Sequence, residues 1–157
     1  MILPNGITGF YSANHQKPPT IDEKQFKQNC FSLITHLNGV IVGFKGPQMG
    51  TNFFDVEARV FNKHLHILLN AYYPFVAFAN KVEYGKIAFF DEPELVTLFS
   101  PFYNVLDTKK LNEPVILKLG SKKNSVQNEN NLNDDELKQI AYWKPERIGD
   151  IIFNYWD

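Results

Sequence analysis

The sequence predicts an α+β fold: a mainly antiparallel sheet of about six or seven strands with three helices packed on it. Three observations carry this. The run 64–80, HLHILLNAYYPFVAFAN, is the most apolar in the chain, is rich in β-formers in its second half, and is broken by Pro74. Short turns join one strand-like segment to the next, which suits antiparallel neighbours. Three other segments start at helix-capping residues and carry apolar positions behind them.

The elements follow in order. Residues 1–19 form a polar lead-in punctuated by Pro and Gly, from which Ile2, Leu3, Ile7, Phe10 and Tyr11 can lay an extended piece on the domain. Thr20-Ile21-Asp22-Glu23 has the form of a capping box, with Thr20 as N-cap. Behind it Phe26, Cys30, Leu33, Ile34 and Leu37 make one apolar stripe at helical spacing, and Asn38-Gly39 supplies the stop. This predicts a helix over 21–37 with one face on the sheet.

Strands are predicted at 40–44 and 52–61. In the second, Val56, Ala58 and Val60 face one way, and Asp55, Glu57, Arg59 and Phe61 the other. Between them, 45–51 reads as a turn: it lacks the Gly-Lys-Ser/Thr ending of a phosphate loop, and Pro47 removes a donor. Asn62-Lys63 is the expected hairpin turn into strands 64–71 and 74–80. A short strand at 86–90 precedes a helix at 93–100, started by Asp91 or Glu92 with Pro93 in its first turn. Residues 114–119 read as a strand, and the Asn-rich 120–133 as a mobile polar loop. Asn133 or Asp134 caps a helix over 134–143, which Pro145 closes. A last strand is expected at 150–156, and 1–157 is read as one domain.

Aromatic residues make up 15% of the chain, enough large rings to cover the faces of a sheet. The net charge is −1 and only two cations are arginines, Arg59 and Arg147, which argues against a nucleic-acid binder. The lone Cys30 excludes an intrachain disulfide and a cysteine-rich zinc site. No charged-then-apolar leader opens the sequence and no apolar run reaches the ~18 residues of a membrane span, so the cytoplasm is the expected compartment. Nothing in the sequence implies a cofactor.

Two constellations carry chemistry. His64 and His66 share one side of their strand, and Asp55 and Glu57 lie on the neighbouring one, a donor set suited to a metal-dependent hydrolase. The same four residues also read as ordinary cross-strand partners. Cys30 with His36 or His15 offers a nucleophile and base, but its place in the apolar stripe suits a small buried hydrophobe.

The final stretch, 143–157, reads WKPERIGDIIFNYWD. Its W-x-P turn, IGDIIFN segment and aromatic-Asp close resemble the C-terminal ending of bacterial immunity proteins, including those of contact-dependent growth inhibition and other polymorphic toxin systems. The resemblance covers about 15 residues and transfers no catalytic residue. It implies a small protein that occludes the active site of a cognate toxin and has neither a nucleic-acid nor a membrane partner. Were the toxin a nuclease with a basic site, Glu83, Asp91, Glu92, Glu94, Asp134, Asp135 and Glu136 would form the complementary surface, with Tyr84, Tyr103 and Trp143 as aromatic anchors. A non-catalytic adaptor whose 120–133 loop orders on binding is the remaining reading.

Overall fold

Neighbouring strands of the sheet follow one another in the chain. The computed structural model describes residues 1–157 apart from 13, 15, 16, 49, 120–123 and 157; the side chains of Leu119 and Asn124 also lie outside it. Helix α1 (Glu23–His36) leads into β1 (Val40–Lys45), β2 (Phe53–Val60), β3 (Lys63–Asn70), β4 (Phe75–Glu83) and β5 (Lys86–Phe89). Then come α2 (Pro93–Phe99), β6 (Asn104–Val105), α3 (Thr108–Leu111), β7 (Leu117–Leu119), β8 (Asn124–Val126), α4 (Asp134–Trp143) and α5 (Ile148–Ile152). Strands β1 to β5 lie side by side, all antiparallel, and β6 joins β4 in parallel to complete a six-stranded sheet. Strands β7 and β8 form a separate hairpin. The α+β class and the mainly antiparallel sheet are as the sequence predicts.

Both faces of the sheet are covered. Helices α1 and α2 close the first face: Phe26, Cys30 and Ile34 of α1 and Leu95 and Phe99 of α2 pack on Val56, Leu65, Ile67, Leu69 and Phe78. The second face carries Phe53, Leu68, Ala77 and Ala79 beneath Leu3, Ile7, Ile140, Ile151, Ile152 and Phe153. This explains why β3 is buried from Leu65 to Asn70 without alternation. Each large apolar side chain sealed in this way contributes about 1.5–3 kcal/mol.

Several local readings change. Helix α1 is capped by Asp22, whose carboxylate accepts from the Gln25 amide, and not by Thr20. Thr20 lies ahead of the helix, where the Ile21 amide is bonded to the Ala71 carbonyl and ties this segment to the end of β3. The β2–β3 turn falls on Phe61-Asn62, one residue earlier than expected, with φ of 56° and 57° as a two-residue primed turn demands. Left-handed backbone is costly at Phe61, and the packing of its ring against the first core offsets it.

The expected last strand at 150–156 is helix α5 followed by non-helical chain. Ile148, Ile151 and Ile152 satisfy a helical spacing as well as Ile151 and Phe153 satisfy an alternating one, and a run this short does not separate the two. Gly149 serves packing here, not a bend: a Cβ on it would sit 2.5 Å from the Phe89 ring and 2.9 Å from the Leu111 carbonyl oxygen.

The stretch read as a mobile loop divides. Residues 120–123 lie outside the described residues, while 124–126 form β8. Asn128 and Asn130 are structural. The Asn128 side chain accepts from the Ile116 amide and donates to the Pro114 carbonyl, and Asn130 donates to the carbonyls of Val126 and Asn128. Next to it the lead-in docks, with the Leu3 amide on the Glu129 carbonyl and the Asn131 amide on the Leu3 carbonyl.

Helix α4 starts at a full capping box of Asn133 and Glu136. Glu136 is fully buried and reaches past the cap, accepting from the Gly6 amide at 2.7 Å and from both the Thr8 amide and hydroxyl at 2.9 and 2.6 Å. One carboxylate thereby fastens the lead-in to α4. Replacing it strands several buried donors, each costing about 1–3 kcal/mol. Glu136→Ala is therefore expected to lower unfolding free energy by ~3 kcal/mol or more in urea titrations, with Glu136→Gln, which keeps one acceptor, losing less.

Candidate functional site

On its second face the sheet is apolar at one end and polar at the other. From Phe53 to Arg59, the β2 side chains on this face pass from buried to exposed as the covering layer ends. The pairing of β2 with β3 sets Glu57 directly opposite His66 and Arg59 opposite His64. The four residues of the metal-like set therefore come together. His66 Nδ1 lies 2.8 Å from Asp55 Oδ1, and His64 Nε2 lies 3.2 Å from Glu57 Oε2. The two imidazoles meet edge to face at 5.3 Å. Asp55 and His66 are only 8% and 7% exposed, Glu57 is half-buried, and His64 is open to solvent. One donor atom from each of Asp55, Glu57 and His66 falls within 4.8 Å of the others.

A cavity of about 240 Å³ opens over this cluster, lined by Lys45, Gln48, Thr51, Tyr84 and Tyr155 with the two carboxylates and His66. The sequence names Tyr155 only within the aromatic close of the C-terminal segment, not as a residue of this cavity. No local signal marks it, because its place depends on the chain after α5 crossing back to β2, where its ring meets Phe53 edge to face at 5.5 Å. Burial and then the negative charge of Asp55 push its phenol up to about 12.

Beside it lies a larger groove of about 650 Å³, between the β4–β5 hairpin and the C-terminal segment. Glu83, Tyr84 and Lys86 form one wall, and Trp143, Lys144, Pro145 and Arg147 belong to the other. The hairpin tip turns through Gly85 at φ +70°, leaving Tyr84 75% exposed with its ring 5.3 Å from Tyr155. Arg147 is anchored, pairing with Asp150 at 2.7 Å and donating to the Ile87 carbonyl.

The residues expected to meet a partner do not form one surface. Glu83, Tyr84 and Trp143 gather in the groove, and Trp143 also donates through its indole to Gln139. Glu136 has no exposed surface and cannot contact a partner, a correction that follows from its buried bonds to the lead-in. Asp91 holds the amide and hydroxyl of Thr108, and Glu92 lies 3.8 Å from Lys63. Tyr103 is half-buried against Phe26, and its hydroxyl accepts from Asn29. Glu94 and Asp134 are exposed and Asp135 is half-buried, all in first turns of helices.

Cys30 is buried between α1 and the sheet, and burial pushes its thiol well above the ordinary range. His36 is exposed six positions on, where the helix turns it to a different side. His15 lies outside the described residues. The structure thus favours the packing role for Cys30.

Among the described residues, no helix is long and apolar enough to cross a membrane. Comparison of the chain with family models, with characterised proteins and with solved structures finds no match.

Two outcomes follow from these environments. The Cys30 thiol should be silent to a maleimide or Ellman's reagent in the native protein and react once denaturant is added; ready labelling of the folded chain would contradict its burial. Tyr72, Tyr73, Tyr103 and Tyr155 all have raised phenols, chiefly through burial. A raised phenol favours the folded state fully below its ordinary value of 10, and for Tyr155 that contribution fades as pH rises through about 12. Stability should accordingly fall above pH 10, and ultraviolet titration should show a group of tyrosines ionising later in the native than in the unfolded chain.

Proposed function

We propose that this chain is a cytoplasmic immunity protein that binds a cognate bacterial toxin and neutralises it by stoichiometric occlusion of its active site. The observation that carries this reading is the position of the segment that resembles immunity proteins. Trp143, Pro145, Tyr155 and Trp156, all from that segment, line the 650 Å³ groove facing the β4–β5 hairpin. Aromatic residues beside a concave surface are the usual anchors of protein interfaces. Tyr84 stands at the hairpin tip as the most exposed ring of that wall.

The charge of the groove decides what sort of partner fits. Lys81, Lys86, Lys144 and Arg147 line it together with Glu83, Glu146 and Asp150. This surface is mixed, not acidic. A toxin surface of mixed charge with an apolar projection complements it better than the strongly basic site of a nuclease. Recognition then rests on shape and aromatic contact, with rim charges setting orientation and association rate.

The test is co-expression with the toxic domains encoded beside it, scored by cell growth. The wild-type chain restores growth and co-purifies with its toxin. Tyr84→Ala, at an exposed position, is expected to weaken toxin affinity by about 2 kcal/mol, roughly 30-fold, while leaving the melting temperature unchanged. A chain that rescues growth from none of those toxins would sink the reading.

A further inference from the structure

We propose that Asp55, Glu57 and His66 bind a single divalent transition-metal ion of the Zn²⁺ type, with His64 steadying Glu57 from the solvent side. This site is inferred independently of toxin recognition, although Tyr84 and Tyr155 line both cavities.

The register produces it. Asp55 and Glu57 are two apart on β2 and point to the same face, and Glu57 and His66 are paired residues of adjacent strands. Each of the three offers one donor, and all three donors lie within 4.8 Å. Ligand bonds of about 2.0–2.2 Å in a tetrahedral arrangement place donors ~3.4 Å apart, so the set has to contract by at most ~1.4 Å. Glu57 is the flexible, half-exposed member that supplies the movement. Nothing on β1 obstructs it: its partner there is Gly43, and a Cβ on Gly43 would approach the Glu57 side chain only to 3.7 Å.

The donor set selects the ion. Two carboxylates with an imidazole, and a second imidazole alongside, suit Zn²⁺ and similar borderline ions better than Mg²⁺ or Ca²⁺, which take all-oxygen cages. Three protein ligands leave a coordination position facing the 240 Å³ cavity, where water or a carbonyl can enter. The burial is also graded correctly. Asp55 and His66 are held by the fold, and Glu57 closes from the side by which an ion would arrive.

A plain ion-pair ladder accounts for less. Lys45 is the register partner of Asp55 on β1, yet the hydrogen bond of Asp55 goes diagonally to His66 at 2.8 Å. Glu57, opposite His66, bonds instead to His64. The four groups point inward at one another, as ligands and their outer partners do.

The experiment titrates the full chain, freed of metal with a chelator, with ZnCl₂ in a calorimeter, and with MgCl₂ and CaCl₂ in parallel. One Zn²⁺ per chain is expected, bound at least tenfold more tightly than Mg²⁺ or Ca²⁺. Glu57→Gln and His66→Gln should each weaken Zn²⁺ binding by about tenfold or more, and His64→Ala by a smaller factor. His36→Ala, exposed on α1 across the sheet, should leave it unchanged. Circular dichroism checks each variant. Should His66→Gln unfold, the half-exposed Glu57→Gln carries the test, together with shifts of the His64 and His66 ring resonances on adding Zn²⁺. Failure to take up one Zn²⁺ at millimolar metal overturns the proposal. So does uptake that Glu57→Gln leaves unchanged, or a preference for Mg²⁺ or Ca²⁺.

Discussion

Three buried asparagines hold the two ends of this chain to its sheet. Asn52 and Asn70 each donate from the side-chain amide to the same two carbonyls, those of Ile7 and Ile152. The Asn52 side-chain oxygen accepts from the backbone amide of Asn154, and the Asn70 side-chain oxygen from the backbone amides of Tyr72 and Tyr73. Asn154 in turn donates to the carbonyls of Thr8 and Ile151 and accepts from the Trp156 amide. All three are nearly inaccessible to water. Each unmade bond in such a network costs about 1–3 kcal/mol, so the network is stable only when complete. It lets the lead-in and the C-terminal segment dock on the sheet without pairing as strands. The path from Phe153 to Trp156 follows from it, and with that path the C-terminal wall of the groove and the position of Tyr155 over the polar cluster.

The second constraint is that the covering layer on the second face is shorter than the sheet. Under it β2 and β3 present Phe53 and Leu68; where it ends they present Asp55, Glu57, His64 and His66. A group at such a boundary is sheltered on one side and wet on the other. Asp55 and His66 can therefore be nearly buried and still satisfy each other by a direct hydrogen bond, with none of the described buried side-chain polar atoms left unpartnered. A fully covered sheet would have excluded these charges, and a bare one would have dispersed them.

What was legible in the sequence follows the range of the interactions. The stripe Phe26–Cys30–Ile34, the alternation Val56–Ala58–Val60 and the run through β3 and β4 are local patterns, and each yields the element it predicts. The shared face of Asp55, Glu57, His64 and His66 follows from them, but the register does not: a turn at Asn62-Lys63 sets Glu57 opposite Leu68, and the turn at Phe61-Asn62 sets it opposite His66. Long-range roles were not legible. Glu136 looks like one more acid in a helix first turn, and only the arrival of Gly6 and Thr8, some 130 residues away, turns it into a buried tether. Asparagines at 128 and 130 look like loop composition until the neighbours they bond are known. The predicted strand 150–156 instead begins inside helix α5, because helix and strand spacings coincide over so few residues, and Gly149 packs closely against Phe89 there.

The groove and the polar cavity share a wall, and that is the last consequence of the fold. Tyr84 and Tyr155 line both. Tyr155 already senses the cluster, since the charge of Asp55 contributes to its raised phenol. Were a partner side chain seated against this ring, it would remove water from it and change the field at Asp55; an ion among Asp55, Glu57 and His66 would alter that field from the other side. Linkage requires the two effects to be equal in free energy, whichever ligand arrives first. The sign of such a coupling would follow from electrostatics: neutralising the carboxylates would favour a partner that brings an acidic or neutral group to the ring, and disfavour one that brings a cation.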